Sequence, residues 1–187
     1  MNSINDAITI TFPDGKTKEF EKGITGYKIA ESIAKSLAKI AIAISVDNVQ
    51  KDLSDSINSD SSISIITLEN DEGLEIMRHT LTAQVLAKAI KNLYPLAKLA
   101  IGPTIDNGFY YDVFFEKQIS SEDLPKIERE MNKIIKNGSA INKTIHSKED
   151  AIKLFNERDE TYKIDIINKS EQDDNFQIYT QGESGFI

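Results

Sequence analysis

Two histidines are the side chains of this sequence best suited to move protons near neutral pH, because the imidazole pKa lies close to it. His79 falls inside a long predicted helix, and His146 falls near the end of a predicted strand. The chain has no cysteine, which excludes thiolate nucleophiles and disulfides. Two histidines without cysteine also provide too few of the usual zinc ligands to predict a zinc site. We expect no metal site, and we interpret His146 as an exposed polar residue.

Cofactor-binding motifs are equally absent from the sequence. Three glycines, Gly102, Gly108 and Gly138, are too dispersed to form a phosphate-binding loop. The acidic stretch from Asp47 to Asp60 lacks the glycine and the terminal glutamate of a calcium loop. We therefore predict no cofactor in this chain.

The segment Ile101-Gly-Pro-Thr-Ile-Asp-Asn-Gly-Phe-Tyr-Tyr-Asp112 combines two turn signals with a run of aromatic residues. Its Gly-Pro and Asn-Gly pairs favour turns. The run from Phe109 to Phe115 holds five aromatic residues in seven positions and favours an extended strand. Composition alone predicts a β-hairpin that lines an apolar core.

The order of residues in this segment resembles the I-G-P-x-I-x-N-G-F-Y-Y-D segment in the editing region of threonyl-tRNA synthetases. Gly73-Leu-Glu-Ile-Met-Arg-His79 resembles the start of the family's editing helix, and Glu160-Thr-Tyr-Lys163 resembles its E-x-Y-K segment. Residues 4–68 resemble its TGS domain, a β-grasp module. Ile178-Tyr-Thr-Gln-Gly182 resembles the strand that leads to the family's C-R-G-P-H motif, and Ile187 precedes that motif. The aminoacylation core, which in this family uses ATP, magnesium and a bound zinc, is not in this sequence.

The resemblance implies an editing pocket that removes serine mischarged onto threonine tRNA. Serine lacks one methyl group of threonine, and a missing methyl gives limited discrimination, which explains the need for proofreading. In the family, the editing helix carries H-x-x-x-H and a later segment carries C-x-x-x-H. Tyr111 and Lys163 match positions that help to form the pocket, and the resemblance implies a binding role for both.

The histidine pair of the family is degenerate in this chain. When residues are counted forward from Gly73, His79 takes the position of the family's first histidine. When they are counted backward from Gly102, Gln84 takes the position of the second histidine. The two counts differ by one residue, so one extra residue lies between His79 and Ala83. Such an insertion is commonly absorbed as a π-bulge. A glutamine cannot take a proton near neutral pH, and we predict that the site has lost its catalysis.

Net charge limits the partners of the chain. The formal charge is −8, whereas nucleic-acid-binding domains usually present a basic face. Lysines and arginines between Lys126 and Lys136 recur at helical spacing but alternate with acids, which favours a mixed solvated face over an RNA patch. The resemblance implies tRNA as a partner, bound weakly by this chain alone, together with the remaining synthetase domains. Without a membrane-length apolar run or a signal peptide, we expect a cytoplasmic protein.

The pattern of elements predicts an α+β chain, with a β-grasp domain over residues 1–69 and an editing-like domain over residues 70–187 that is incomplete at its C-terminal end. In the first part, strands alternate around one helix that begins at Thr25. In the second part, Asp71 to Leu93 has the length and apolar face of one long helix, followed by the aromatic hairpin and by a helix that begins at Ser120.

Two hypotheses of function remain open at this point. The first is the N-terminal, tRNA-facing region of a threonine–tRNA ligase, with a degenerate editing site and no aminoacylation core. The second is a free-standing, non-catalytic binding or regulatory module on the same scaffold, which depends on fold analogy alone. An adjacent reading frame for C-R-G-P-H and an aminoacylation core would favour the first.

Overall fold

The computed structural model describes residues 7–182, 185 and 186. It divides into two compact units, Met1–Met77 and Arg78–Ile187. The division lies inside helix α3 (Asp71–Thr80), some residues after the boundary that the sequence predicts.

The first unit is a sheet with helices packed on it. Its elements are β1 (Ala7–Thr11), β2 (Thr17–Glu21), β3 (Ile24–Thr25), α1 (Gly26–Ile33), α2 (Lys35–Ile40), β4 (Ala41–Val46), β5 (Val49–Lys51), β6 (Ser56–Ile57) and β7 (Ser61–Thr67). The main sheet has five strands in the order β2-β1-β7-β4-β5. Strands β1 and β7 are parallel, with Ile10 opposite Ser61, and the remaining pairs are antiparallel. This arrangement is the β-grasp.

Local signals fix the ends of these elements. The Thr25 side chain accepts a hydrogen bond from the Lys28 N–H and caps α1, as predicted. Asp47 and Asn48 both have positive φ, the geometry of a two-residue hairpin turn, and they join β4 to β5. The predicted single helix is wrong in one respect, because Ala34 is extended and divides it into α1 and α2.

The core of the first unit consists of aliphatic side chains from both layers. Ile29 of α1 and Ile44 of β4 are fully buried. The turn between β7 and α3 is equally close-packed, because a Cβ built on Gly73 would lie 1.9 Å from the Thr67 carbonyl oxygen. The buried core residues are Ile8, Ile10, Ile29, Ile44, Val46, Ile57 and Ile63.

The second unit packs a helical layer against short strands. Strands β12 (Ile141–His146) and β13 (Phe176–Gln181) form a two-stranded antiparallel sheet, in which Ile141 pairs with Gln181 and His146 with Phe176. No helix among the described residues is long and apolar enough to cross a membrane. The elements are α4 (Ala87–Leu93), β8 (Lys98–Leu99), β9 (Thr104–Ile105), β10 (Gly108–Phe109), β11 (Val113–Phe114), α5 (Leu124–Asn137), β12 (Ile141–His146), α6 (Lys148–Asn156), α7 (Thr161–Lys169) and β13 (Phe176–Gln181).

The long helix predicted from Asp71 to Leu93 contains a π-helical turn over Leu81–Leu86, between α3 and α4. The turn begins two residues after His79, where the two counts from the flanking motifs require an extra residue. A π-turn lengthens the local hydrogen-bonded ring by one residue. The structure thus has a π-helical turn where the two counts predict that an extra residue would be absorbed.

The aromatic hairpin is less regular than a single strand. Gly108–Phe109 pairs with Thr104–Ile105, and Val113–Phe114 pairs with Lys98–Leu99, so the predicted run is two short strands. Pro103 has no N–H to donate to a ladder. Irregular backbone bonds join the two pairs, from the Asp112 N–H to the Ile101 carbonyl and from the Tyr110 N–H to the Pro103 carbonyl.

Candidate functional site

A buried carboxylate with two lysines is the centre of the candidate site. Glu160 precedes α7 and is 7% exposed. Its Oε1 lies 3.3 Å from the Lys91 Nζ of α4, and its Oε2 lies 4.0 Å from the Lys163 Nζ of α7. Both lysine side chains are largely buried. We call Glu160, Lys91, Lys163 and Tyr111 the Glu160 cluster.

Tyr111 belongs to this cluster because Glu160 acts on its hydroxyl. Burial, and then the charge of Glu160, raise the pKa of Tyr111 to about 12. The hydroxyl is therefore neutral at physiological pH and can donate a hydrogen bond. It is not a nucleophile there.

Lys163 is the second predicted binding residue in the cluster. Burial lowers the pKa of its ammonium group, the negative charge of Glu160 opposes that effect, and the charges of Lys91 and Arg158 add to it. The ammonium also lies 5.2 Å from the centre of the Phe155 ring, a cation–π distance. Two lysines on one carboxylate give the cluster a net positive charge, which suits an anionic ligand.

Tyr111 is held in place by close contact with the π-helical turn. Gly102 separates the Tyr111 ring from Thr82: a Cβ built on Gly102 would lie 2.8 Å from Tyr111 Cδ2 and 2.9 Å from Thr82 Cγ2. Thr82 is fully buried, and its hydroxyl donates to the Arg78 carbonyl at 2.7 Å. The glycine of the Gly-Pro pair is thus needed for packing in addition to its turn.

A three-residue turn joins the cluster to the neighbouring elements. Asp159 has φ +56°, and its side chain and backbone carbonyl both accept from the Lys98 ammonium. Arg158 donates to the Gly185 carbonyl at 2.7 Å. Successive residues of the turn therefore contact β8, the segment after β13 and, through Glu160, α4 and α7.

The two residues predicted as degenerate editing positions, His79 and Gln84, have different environments. His79 is exposed on α3. Gln84 is 8% exposed on the π-helical turn, and its Nε2 donates to the Tyr179 carbonyl of β13 at 3.4 Å. A single exposed imidazole and a buried amide do not form a pair of acid–base groups.

His146, interpreted as an exposed polar residue, is half-buried at the end of β12. Its Nε2 lies 2.9 Å from the Thr144 hydroxyl on the same strand. Within residues 7–182, 185 and 186, no group of three histidine or acidic side chains is placed to hold a metal ion.

Sequence reasoning missed Glu160 and Lys91 as site residues. Glu160 stands in the quoted E-x-Y-K segment, three residues before Lys163, a spacing at which a helix brings two side chains together. This spacing is visible in the sequence and could have identified Glu160 as a site residue. Lys91 lies on a helix face among other lysines, and only the fold brings it to Glu160.

Comparison with known proteins assigns the first unit. Residues 8–67 match the family described as "TGS domain", in agreement with the range of the predicted β-grasp module.

Threonine–tRNA ligases match nearly the whole chain. The ligase of Francisella philomiragia is 48% identical over 176 residues, which is 94% of this chain and 28% of the relative. The ligase of Halalkalibacterium halodurans is 46% identical over 180 residues, 95% of this chain and 28% of the relative. The ligase of Geobacillus sp. is 47% identical over 180 residues, which is 96% of this chain and 28% of the relative.

The chain corresponds to the TGS-containing N-terminal region of threonine–tRNA ligases and spans a little over a quarter of the length of these relatives. The core to which the family's ATP, magnesium and zinc belong lies outside these 187 residues.

Proposed function

We propose that this chain is the tRNA-facing N-terminal part of a threonine–tRNA ligase and that its second unit holds the tRNA end without hydrolysing a mischarged amino acid. The observation that carries the proposal is the contrast between two parts of the site. Tyr111 and Lys163 gather around Glu160, whereas the position of the second histidine holds Gln84, which is bound to Tyr179. We assign the protein to the cytoplasm, where tRNA is charged and used.

The charges of the site support binding of an anion. The net positive Glu160 cluster can attract a phosphate or a ribose hydroxyl next to one, and the neutral Tyr111 hydroxyl can donate to it. The net charge of −8 opposes RNA binding by the rest of the chain. Binding should therefore be weak and steeply dependent on salt.

Hydrolysis needs groups that the described site does not offer. General acid–base groups typically contribute about 10²–10⁴-fold each. Gln84 cannot transfer a proton near neutral pH, and the Tyr111 hydroxyl has a pKa of about 12. His79 is exposed, and position 84 offers it no second imidazole with which to form a catalytic pair.

Titration of the chain with threonine tRNA tests the binding. We expect weak binding at low salt, a further loss of several-fold in Lys163→Met, and little change in the control Lys136→Met, which alters an exposed lysine of α5. Tight binding that persists at high salt, or equal losses in the two variants, would contradict the proposal.

Deacylation of seryl-tRNA at excess protein tests the absence of hydrolysis. We expect a rate equal to that of buffer, with and without His79→Ala. Robust turnover that His79→Ala abolishes would mean that the site works with one histidine.

A further inference from the structure

The two lysines of the Glu160 cluster approach the carboxylate unequally. The Lys91 Nζ lies 3.3 Å from Oε1, whereas the Lys163 Nζ lies 4.0 Å from Oε2. A separation of 4.0 Å is too long for a hydrogen bond, so the contact between Glu160 and Lys163 is an ion pair alone. The carboxylate therefore lies closer to the lysine of α4 than to the lysine of α7, the helix that Glu160 precedes.

The backbone of Glu160 is fixed, so only rotation of its side chain brings the carboxylate nearer to one lysine or the other. The Glu160 N–H donates to the Phe155 carbonyl at 3.0 Å. The Glu160 carbonyl accepts from the N–H groups of Lys163 and Ile164 at 3.1 and 3.2 Å. The position of the carboxylate thus depends on which cation holds the side chain.

Lys91 is held in place by a second acceptor. Its ammonium also donates to the Ala97 carbonyl, next to β8, at 3.1 Å. Ala97 is only 2% exposed, so this acceptor lies in well-packed surroundings. An ammonium carries three donors, and acceptors on two separate segments of the chain fix the one on Lys91. It is therefore a stationary partner for the Glu160 carboxylate.

The charges around Lys163 come from three elements. Glu160 attracts its ammonium, whereas Lys91 of α4 and Arg158 of the turn before α7 repel it. Tyr111 faces the same carboxylate from the aromatic hairpin and is neutral at physiological pH. An anionic ligand at Lys163 would therefore compete with the Glu160 carboxylate for this ammonium.

We infer that Lys91 is a positioning residue of the anion site, which holds the Glu160 carboxylate on the α4 side and keeps it from closing onto the Lys163 ammonium. The inference rests on the proposed function, in which Lys163 binds an anionic group of the tRNA end. Without Lys91, the carboxylate would turn toward Lys163 and compete with that group. Lys91 thus acts on the ligand through Glu160 and not by contact with it.

A double-mutant cycle on tRNA binding tests this role. Threonine tRNA is titrated at low salt and neutral pH with the wild type, Lys91→Met, Glu160→Gln and the double variant, after circular dichroism has established that each is folded. We expect Lys91→Met to weaken binding several-fold, more than the exposed-lysine control Lys136→Met, and to weaken it no further in the Glu160→Gln background. Losses of equal size in the two backgrounds would mean that Lys91 contacts the ligand itself, which would overturn the inference.

Two further measurements separate positioning from a general loss of packing. Lys91→Arg should bind tRNA like the wild type, because a guanidinium keeps the charge and can donate two N–H groups to a carboxylate. The pKa of Tyr111 should stay at about 12 in Lys91→Met, whereas a loosened cluster would bring it back toward 10.0. Equal losses of binding in the arginine and methionine variants, or a lowered Tyr111 pKa in Lys91→Met, would contradict the positioning role.

A crystal structure of Lys91→Met separates this inference from the proposed function, because it needs no tRNA. The distance from the Lys163 Nζ to the Glu160 carboxylate should shorten from 4.0 Å to about 3 Å. A shortened contact in a chain that binds no tRNA would refute the proposed function and leave the hold of Lys91 on Glu160 in place. An unchanged distance, with tRNA binding by the wild type, would refute the positioning role alone.

Discussion

The Glu160 carboxylate and the Lys163 ammonium lie 4.0 Å apart, one turn from each other at the start of α7, and both are largely buried. Burial lowers the Lys163 pKa, and the negative charge of the carboxylate opposes that effect. This relationship makes Glu160 the residue on which the charges of the site depend.

Replacement of Glu160 by glutamine should destabilise the chain and lower the Lys163 pKa further. The variant leaves two largely buried ammonium groups without their carboxylate, and we expect a loss of about 1–3 kcal/mol in the free energy of unfolding. Urea denaturation measures the loss, and Glu157→Gln, an exposed glutamate nearby, is the control. Equal stability of the two variants would show that the ion pairs contribute nothing.

Tyr111 should make the stability of the chain fall between about pH 10 and 12. Its pKa is raised to about 12 in the folded state, from 10.0. The unfolded state therefore loses this proton at lower pH than the folded state, so the contribution is complete below pH 10 and is lost as the pH rises through 12. A difference of this size between the pKa values of the folded and unfolded states corresponds to roughly 3 kcal/mol of stability.

Absorbance titration and denaturation across this range, on the wild type and on Tyr111→Phe, measure the effect. The variant should lack both the late tyrosine step and the corresponding loss of stability. A variant that retains the late step would assign it to another tyrosine.

Alanine at Gly102 should loosen the contact between Tyr111 and the π-helical turn. The new methyl group would lie 2.8 Å from the Tyr111 ring and 2.9 Å from Thr82, and one of the two must move. We expect a loss of about 1–3 kcal/mol and weaker tRNA binding. Gly108→Ala is the matched control in the same hairpin, because its Cβ would meet nothing within 4 Å. Comparable losses in the two variants would point to the hairpin backbone as the cause.

Replacement of Gly73 by alanine has two effects of opposite sign and different size on the stability of the chain. Alanine favours a helix interior by about 1 kcal/mol over glycine. The added Cβ would however lie 1.9 Å from the Thr67 carbonyl oxygen, a backbone atom that cannot turn aside. We expect the clash to dominate, with a net loss of about 2 kcal/mol or more. Thermal unfolding that matches or exceeds the wild type would contradict this.

Periodic apolar patterns and turn residues predicted most of the first unit. Alternation at Ile8 and Ile10 and the Asp47-Asn48 pair locate strands and a hairpin directly, because these signals are local. The break at Ala34 was not predictable, since alanine favours a helix and only tertiary packing makes it extended there.

The site was predictable only in part. The residue count located the π-helical turn, and the quoted segments indicated Tyr111 and Lys163. The environment of Gln84 depends on β13, 95 residues further along the chain, and no local pattern reports such a contact. Lys91 was missed for the same reason, because its partner Glu160 lies 69 positions away by residue number.

The π-helical turn has a consequence for any attempt to build a histidine pair by mutation. Histidine at position 84, one codon change away, would enter a buried position next to Tyr179 of β13, whereas His79 is exposed and lies before the turn. Removal of one residue from the turn would rotate the helix on one side of it by about 100° and would still leave an amide at position 84. We therefore expect neither change by itself to place two imidazoles on one face.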